Sequence, residues 1–393
     1  MTEASRHGVR RFRMFILGAG FSRPAGLPLS NELWREIRRR VSLLHGRARR
    51  FDSDLEEYLR YKEECFGLEI AADDVDFEDF MRFLDIEHFL GMRGSDTWSR
   101  SGNEATVVVK TLIGQILTER TPLPDRIPEL YLTFASGLQP DDYVLTFNYD
   151  VLLERAFDAV RKPYRLFPTR YKSILNTSAI ADESKDEVIL LKLHGSIDWF
   201  DRTDYGWLED QRRQAGLGGG PPDPIFAHET ELGVAKLVDG PRFPADPLDQ
   251  MYRVRHVDAL YSRPILFSAT PWLLAPSPVK LLYADTLREF WHGIGNAGIL
   301  NFGLAIIGYS LPPQDEYARQ ILHAIVTNYQ RAHWDDEIGG LRKRPLVIVD
   351  RCDDAHATAD FKLRYRFVNW DRALLCPGGL DHDAVERVFA EAG

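Results

Sequence analysis

The sequence predicts an α/β fold, in which a mostly parallel sheet carries helices on both faces and a helical domain is inserted into the core. β-prone apolar runs alternate with helical stretches along most of the chain. Several runs are almost wholly apolar, which is typical of central parallel strands covered on both faces. Glycine-rich or polar clusters directly follow four runs. Ligands of such sheets bind beyond the carboxyl ends of the strands, so these clusters predict one crevice.

The N-terminal part of the sequence predicts a strand, a tight turn and a helix. Residues 11–17 are β-prone and enter Gly18-Ala19-Gly20-Phe21-Ser22, and Ser30 or Asn31 can cap the following helix. A Gly-x-Gly turn after a strand lets backbone N–H groups approach a pyrophosphate closely. On this motif alone, a tight turn without a ligand is an equally good interpretation.

Strand signals are scarce over residues 52–138, where apolar residues recur at helical spacing and Asn103 can cap a helix. We therefore predict a helical insertion domain over 52–138 and a core formed by 1–51 and 139–393. The Gly- and Pro-rich residues 201–263 predict a lid-like excursion from that core.

The remaining core strands are predicted from apolar runs at residues 143–147, 188–193, 264–267, 304–308 and 345–350. Helical stretches are predicted near 278–297 and 314–329, between the last three of these runs.

Composition is that of a folded globular chain, with 44% hydrophobic and 27% charged residues among 393. No apolar run approaches the ~20 residues of a membrane-spanning helix. The N-terminal apolar run, residues 14–17, is too short for the core of a signal peptide, so we expect a cytoplasmic protein with no membrane partner. The three scattered cysteines cannot form a four-cysteine zinc site, and the sequence contains no metal-binding motif, so we predict no metal.

Charge gives little reason to expect nucleic-acid binding, because 59 acidic residues outnumber 49 basic ones for a net charge of −10. The most basic segment, residues 35–50, can meet an acidic partner or nucleic acid. A solvated helix face, or pairing with the acidic residues 73–87, is the favoured interpretation.

An ordinary hydride-transfer site is disfavoured. Gly26 comes too late to complete a Gly-x-Gly-x-x-Gly pattern, and Arg38-Arg39-Arg40 stands where an acid would hold a ribose.

Four clusters together carry a family resemblance. Residues 18–22 with Gly26-Leu27-Pro28, then 146–150, then His194-Gly195, then 308–311 follow the order seen in sirtuins. The chain most resembles the bacterial sirtuin-like NADases of anti-phage defence, whose His segment is similar to residues 192–199 here.

The resemblance implies a Rossmann-like core that binds NAD⁺ as its substrate. It implies that Asn148 faces the nicotinamide ribose, that Asp150 lies nearby and that His194 is the catalytic histidine. The expected cofactor-binding residues are Gly18, Ala19, Gly20, Phe21, Ser22, Thr146, Gly308, Ser310 and Asp350.

The chemistry of these residue types agrees with nicotinamide–ribose cleavage. Asn148 can hold ribose hydroxyls or a water through both its donor and its acceptor. His194 can take a proton near neutral pH, and Asp150 can orient these groups or offset positive charge. Each residue also has a structural alternative, because Asn148 can bond backbone, Asp150 can cap a helix and His194 can be a buried core histidine. Ser310 can likewise belong only to a turn that opens the next helix.

Three departures from the sirtuin pattern bear on the reaction. Leu29-Ser30-Asn31 replaces the Asp-Phe-Arg stretch of protein deacylases, Phe147 replaces the Gln before the Asn, and the paired CxxC zinc module is missing. These differences weaken the case for deacylation more than the case for NAD⁺ binding.

We therefore predict an NAD⁺ glycohydrolase that depletes NAD⁺ in abortive anti-phage defence. Activity of this kind must be restrained, so we expect a homo-oligomer or a partner, for which the resemblance suggests a HerA-type ATPase. The alternatives are an NAD-dependent protein deacylase or ADP-ribosyltransferase, and a non-enzymatic sensor or scaffold that binds NAD or ADP-ribose.

Overall fold

The computed structural model describes residues 12–44, 49–92, 102–175, 178–182, 184–217, 223–238, 246–263, 270–274, 288, 290–291, 294–312 and 315–392. The strand predicted at 264–267 and most of the helical stretch predicted at 278–297 lie outside these residues.

The strands, in chain order, are β1 Arg13–Leu17, β2 Tyr143–Thr146, β3 Tyr164–Arg165, β4 Tyr171–Leu175, β5 Ser178–Ala181, β6 Val188–Lys192, β7 Trp199–Asp201, β8 Val234–Lys236, β9 Met251–Val254, β10 Gly303–Ile307, β11 Leu346–Val349 and β12 Ala373–Cys376.

The α-helices are α1 Ala19–Ser22, α2 Ser30–Val41, α3 Arg49–Phe66, α4 Phe77–Leu90, α5 Glu104–Arg120, α6 Glu129–Gly137, α7 Leu152–Ala159, α8 Arg202–Gln214, α9 Glu229–Leu232, α10 Val257–Tyr261, α11 Glu316–Arg331, α12 Ala355–Arg364 and α13 His382–Ala392.

A seven-stranded parallel sheet forms the core, in the order β12-β11-β10-β1-β2-β6-β3. The predicted mostly parallel α/β sheet is confirmed. From β1 the chain builds outward in one direction through β2 and β6, and in the other through β10, β11 and β12. Strand order reverses at the β1–β10 pair, which is where open α/β sheets bind their ligands.

Register places the carboxyl ends of the central strands in one row. Leu17 lies opposite both Ile307 and Thr146, Thr146 opposite Lys192, and Ile307 opposite Val349. The residues that follow these strands therefore emerge at one edge of the sheet.

Residues 52–138, predicted to be helical, contain most of α3 and all of α4, α5 and α6 in their described part. Asn103 caps α5 as predicted, because its Oδ1 accepts a hydrogen bond from the N–H of Thr106 at 2.9 Å. The predicted cap of α2 is wrong: Ser30 is already helical, and the N–H of Leu29 donates to the Glu32 carboxylate at 3.1 Å. The carboxylate at the third helical position thus satisfies the backbone N–H of the N-cap residue, as in one half of a capping box.

The described part of residues 201–263 contains more helix and strand than the predicted lid-like excursion implied. It contains α8 and α10, and its strand β9 pairs with both β7 and β8 in a separate antiparallel sheet. Val254 and Met251 are fully buried, so this small sheet has apolar contacts of its own.

The basic segment on α2 pairs with acidic residues, as the favoured interpretation predicted. Arg35 lies 3.0 Å from Asp74, and Arg38 pairs with Asp73. Among the described residues, no helix is long and apolar enough to cross a membrane.

Candidate active site

The turn after β1 and the turn after β10 pack directly against each other. The N–H of Gly18 donates to the carbonyl of Ile307 at 3.0 Å, and the N–H of Gly20 donates to the carbonyl of Gly308 at 2.8 Å. A Cβ added to Gly18 would lie 2.5 Å from the Gly308 oxygen, and one added to Gly20 would lie 2.7 Å from the Gly308 Cα. The close contact between the two turns is therefore sufficient to explain why residues 18 and 20 are glycines.

Of Gly18, Gly20 and Gly308, Gly308 has the least room for a side chain. Its φ is +64°, and an added Cβ would lie 2.2 Å from the backbone nitrogen of Phe21. Its own N–H donates to the Val349 carbonyl at 2.8 Å, which ties β11 to the same junction. The junction joins the three strands that flank the reversal of strand order.

Replacing Gly308 with alanine is expected to destabilise the fold by roughly 2–3 kcal/mol or more, because backbone strain and a backbone clash add. Gly340→Ala is the matched control, since Gly340 has a φ of +80° but nothing within 4 Å of an added Cβ. Denaturant midpoints would measure both effects. Equal losses of stability in the two variants would show that the junction is not tightly packed.

Asn148 extends from the end of β2 across to the β1 turn. Its side-chain NH₂ donates to the Gly18 carbonyl at 2.9 Å and lies 3.2 Å from the Ser22 Oγ. Its own N–H donates to Thr146 Oγ1 at 3.1 Å. The amide is therefore held in one orientation and is half-buried at the cleft.

Asp150 contacts both the helix that follows it and the turn after β1. Its Oδ1 accepts from the N–H of Leu152 at 3.0 Å, in the first turn of α7, and its Oδ2 accepts from Ser22 Oγ at 2.9 Å. Ser22 thus links Asp150 to Asn148. The N–H of Leu152 fixes the carboxylate of Asp150, and the carboxylate fixes the serine hydroxyl.

His194 follows β6 and is buried, with 4% of its surface exposed. Its Nε2 lies 2.8 Å from the hydroxyl of Tyr317 and 3.4 Å from Oδ2 of Asp315. The ring of Phe147 contacts His194 edge-on, with 5.0 Å between centroids, and stacks on Tyr309 at 4.4 Å. An imidazole beside a carboxylate and a phenol is equipped to move a proton.

Asp315 and its two tyrosines are site residues that the sequence analysis missed. Asp315 is 1% exposed, and its Oδ2 accepts from the hydroxyl of Tyr309 at 2.7 Å. Tyr309 lies within the cluster 308–311, but the sequence alone assigns it no role. Asp315 and Tyr317 lie at the start of α11. The sequence feature that could have indicated them is a carboxylate a few residues beyond the cluster 308–311, which follows a strand.

These groups share one cleft of about 1030 Å³ at the carboxyl edge of the sheet. Its lining includes the predicted residues Ala19, Gly20, Ser22, Asn148, Asp150, His194, Gly308, Ser310 and Asp350. The helical insertion also contributes to the lining, through Asp76, Phe77, Glu78 and Leu117.

Three predicted residues lie behind the cleft lining and support it. The Gly18 carbonyl and Thr146 Oγ1 are hydrogen-bonded to Asn148. The ring of Phe21 is buried in the core against Tyr131 and Phe134, at centroid distances of 5.3 and 5.1 Å. The side chain of Phe21 therefore faces the core.

Asp350 lies at the other end of the cleft lining, directly after β11. Its Oδ1 accepts from the N–H of Arg351 at 2.7 Å, while its buried Oδ2 has no hydrogen-bond partner within the described residues. Burial raises the pKa of Asp350, although the nearby Arg364 opposes the shift. A buried carboxylate oxygen without a donor is suited to accept one from a ligand.

Metal binding has no evident site in the described parts of the chain, where no group of three or more His, Cys, Asp or Glu side chains is placed to hold an ion. The described ionisable groups of the cleft are carboxylates, arginines, tyrosines and His194.

Comparison with family models gives one match, which covers only part of the chain. A sequence model of the family described as "SIR2-like domain" matches residues 142–209. Curated proteins include no match to this chain. Similar solved structures include "Structure of Sir2Tm bound to a propionylated peptide", with 14% identity, 97% of this chain and 93% of that chain covered, and a TM-score of 0.31. Another is "The Structural basis of Sirtuin Substrate Affinity", with 14% identity, 98% and 95% covered, and a TM-score of 0.31. The chain therefore contains a segment similar to SIR2-like domains, and that segment includes Thr146, Asn148, Asp150 and His194.

Proposed function

We propose that this protein is an NAD⁺ glycohydrolase that cleaves the nicotinamide–ribose bond with water as the acceptor. One observation carries the proposal: Asn148 and His194 line a single cleft beside the glycine junction, where strand order reverses. The match of residues 142–209 to a SIR2-like domain supports NAD⁺ as the substrate.

Charge development at the ribose explains the choice of side chains. Breaking the bond to nicotinamide creates positive charge at the anomeric carbon of the ribose. Asn148 presents an amide that orients hydroxyls or water without adding a competing nucleophile. His194 accepts a proton from a ribose hydroxyl or from the attacking water. Asp150 holds Ser22 and Asn148 in place and contributes negative charge near the cleft.

The rest of the dinucleotide is assigned to the remaining lining residues. Ala19, Gly20 and Ser22 would lie along the pyrophosphate, with Gly308 and Ser310 on the opposite turn. Asp350 would accept hydrogen bonds from the hydroxyls of the adenine-side ribose, because its buried Oδ2 has no hydrogen-bond donor within the described residues.

Hydrolysis is favoured over acyl transfer by the features that flank the site. Phe147 replaces the polar residue that precedes the Asn in many protein deacylases, and its ring packs between His194 and Tyr309. The three cysteines are free and scattered, so the chain lacks the paired CxxC zinc module of those enzymes.

Incubation with NAD⁺, with and without an acylated peptide, separates the candidate functions. The proposal expects nicotinamide release at the same rate in both samples, together with ADP-ribose. Release only with the peptide would indicate a deacylase or transferase, and binding without release would indicate a sensor. Either of the last two results contradicts the proposal.

The biological role that we propose is NAD⁺ depletion in abortive anti-phage defence, inside the cytoplasm. Control by self-association or by a HerA-type ATPase belongs to the same proposal. Large apolar side chains on the helical insertion support a contact surface: Phe66, Leu90 and Met92 are 57%, 63% and 65% exposed. Native co-purification followed by sedimentation analysis tests this point, and an isolated monomer with full activity would contradict it.

Asp350→Asn is expected to leave stability unchanged or higher while raising the KM for NAD⁺ about 10-fold or more. Burial raises the pKa of Asp350, so folding disfavours its ionised form and removal of the charge costs no stability. The KM rises because a charged acceptor for the ribose is lost. Asp360→Asn, on the exposed side of α12, is the control. An unchanged KM in Asp350→Asn would remove Asp350 from the binding site.

A further inference from the structure

The described part of residues 201–263 binds the backbone of the chain shortly after β6. The hydroxyl of Tyr261, in α10, donates to the carbonyl of Ile197 at 2.7 Å in a buried contact. The N–H of Val254, at the end of β9, donates to the carbonyl of Asp198 at 2.8 Å. Neither Tyr261 nor Val254 is part of the cleft lining, so these bonds support the site from outside the cleft.

The backbone of Ile197 also joins the two strand-end segments of the candidate site. Its N–H donates to the carbonyl of Tyr149 at 3.0 Å, and Ser196 Oγ donates to the same carbonyl at 3.3 Å. Tyr149 directly follows Asn148, and Ile197 lies three residues after His194. The backbone of Ile197 therefore ties the segment that carries Asn148 to the segment that carries His194.

The helical insertion contacts Tyr261 through α5. A Cβ added to Gly114 would lie 2.2 Å from the hydroxyl oxygen of Tyr261 and 2.4 Å from its Cζ. Gly114 is buried, so the phenol packs directly on the backbone of α5. Because this contact leaves no room for even a methyl group, a shift of α5 toward α10 would displace the hydroxyl that holds Ile197.

Arg155, in the core helix α7, fixes α5 relative to α10. Its guanidinium donates to the carbonyl of Thr121, the residue directly after α5, at 3.0 Å. The same guanidinium pairs with the carboxylate of Asp258, in α10, at 2.7 Å. Since Arg155 is itself buried, the contact between the two helices is anchored in the core.

We propose that Tyr261 is a positioning residue through which the helical insertion sets the alignment of Asn148 and His194. Tyr261 acts through the backbone of Ile197, and a shift of α5 is expected to reach the site by this contact. The consequence for catalysis rests on the proposed function, whereas the coupling of α5 to residues 194–198 does not.

Tyr261→Phe removes the hydroxyl and keeps the ring. We expect kcat per folded enzyme to fall about 10-fold with KM for NAD⁺ changed less than about threefold, because misalignment impairs chemistry more than binding. The loss is partial, because the His194 carbonyl keeps its bond from the N–H of Leu274 at 2.9 Å. Tyr329→Phe is the matched control, since this buried tyrosine donates to the Arg344 carbonyl at 2.6 Å outside the cleft lining. It should lower the unfolding midpoint comparably and keep the wild-type kcat.

Gly114→Ala reaches the same bond from the insertion, because the added methyl group pushes the phenol of Tyr261 away from Ile197. We expect kcat to fall about 10-fold or more. The double variant with Tyr261→Phe should lie within about threefold of the weaker-turnover single variant, because both substitutions act on one hydrogen bond. Gly137→Ala is the control, since its Cβ would lie 2.7 Å from the ring of Phe389, outside the cleft lining. It should keep the wild-type kcat.

Hydrogen–deuterium exchange of residues 194–199 tests the coupling independently of turnover. The amide of Ile197 is protected in the wild type by its bond to the Tyr149 carbonyl. Both test variants, Tyr261→Phe and Gly114→Ala, should accelerate exchange in this segment about 5-fold or more. Both control variants should leave it at the wild-type rate.

The combined results decide the proposal. Exchange at the wild-type rate in both folded test variants would overturn the coupling. Faster exchange with an unchanged kcat, or losses of kcat that multiply in the double variant, would overturn the positioning role of Tyr261. If the wild type cleaves no NAD⁺ at all, the proposed function fails, and the exchange rates still decide whether the coupling exists.

Discussion

His194→Gln is expected to lower the rate of NAD⁺ cleavage by roughly 10²–10⁴-fold, because the variant loses the proton acceptor of the cleft. Glutamine retains a polar side chain of moderate size but takes up no proton at neutral pH. Because His194 packs against Phe147 and Tyr317, folding of the variant must be verified by its unfolding midpoint. Initial rates of nicotinamide release measure the effect.

Asn148→Ala tests the same site at a residue that is only half-buried, so the fold is less at risk. Loss of a preorganised polar group at developing charge is expected to lower kcat on the order of 10²-fold. His323→Gln is the control histidine, exposed on α11 and outside the cleft lining. Full turnover by folded His194→Gln and Asn148→Ala would show that the assignment of catalysis to these residues is wrong.

Glu154→Ala is expected to be among the most destabilising substitutions in the chain, at about 3–5 kcal/mol. Glu154 and Lys192 form an ion pair of 2.8 Å, with 3% and 1% of their side-chain surfaces exposed. Burial raises the pKa of Glu154 even though Lys192 opposes the shift. Removing Glu154 leaves the Lys192 charge buried, and chemical denaturation would measure the loss.

Two controls sharpen this prediction. Glu337→Ala breaks an exposed pair with Arg342 and should change stability by less than about 1 kcal/mol. The double variant Lys192→Met/Glu154→Leu should recover most of the lost stability, because a buried pair can be replaced by apolar residues of similar size. It should remain less active, because Lys192 Nζ also donates to the Asp150 carbonyl beside the cleft. If Glu154→Ala matches Glu337→Ala in stability, the pair is not buried in solution.

The central strands were predictable because they are buried on both faces. β1, β2, β6, β10 and β11 lie within or near the predicted runs, and almost all of their residues are buried. A strand covered by helices on both sides must be apolar at successive positions, so its sequence carries the signal by itself.

Two edge strands of the same sheet carried no such signal. β3 has two residues and exists because Tyr164 and Arg165 pair with the edge of β6. β12 is short and mostly half-buried, and it is defined by its pairing with β11. Strand order also depends on contacts between distant residues, which periodicity along the chain does not encode.

The residues of the candidate site also fall into a group that was predictable from the sequence and a group that was not. Asn148 and His194 directly follow strands, so the parallel topology alone predicts that they meet. Asp315 and Tyr317 approach His194 from the start of α11, and this approach depends on how that helix packs. The packing role of Gly18, Gly20 and Gly308 could not be predicted either, because the sequence does not show that the turns after β1 and β10 are in close contact.

The central claim is that NAD⁺ lies in this cleft with its nicotinamide end at Asn148 and His194. A crystal structure of the His194→Gln variant with NAD⁺ tests it most directly, because cleavage in that variant should be slow. The account predicts the nicotinamide ribose within hydrogen-bond distance of Asn148, the pyrophosphate along residues 18–22 and the adenine-side ribose at Asp350. A dinucleotide bound outside the cleft, or bound with its nicotinamide end at Asp350, would contradict it.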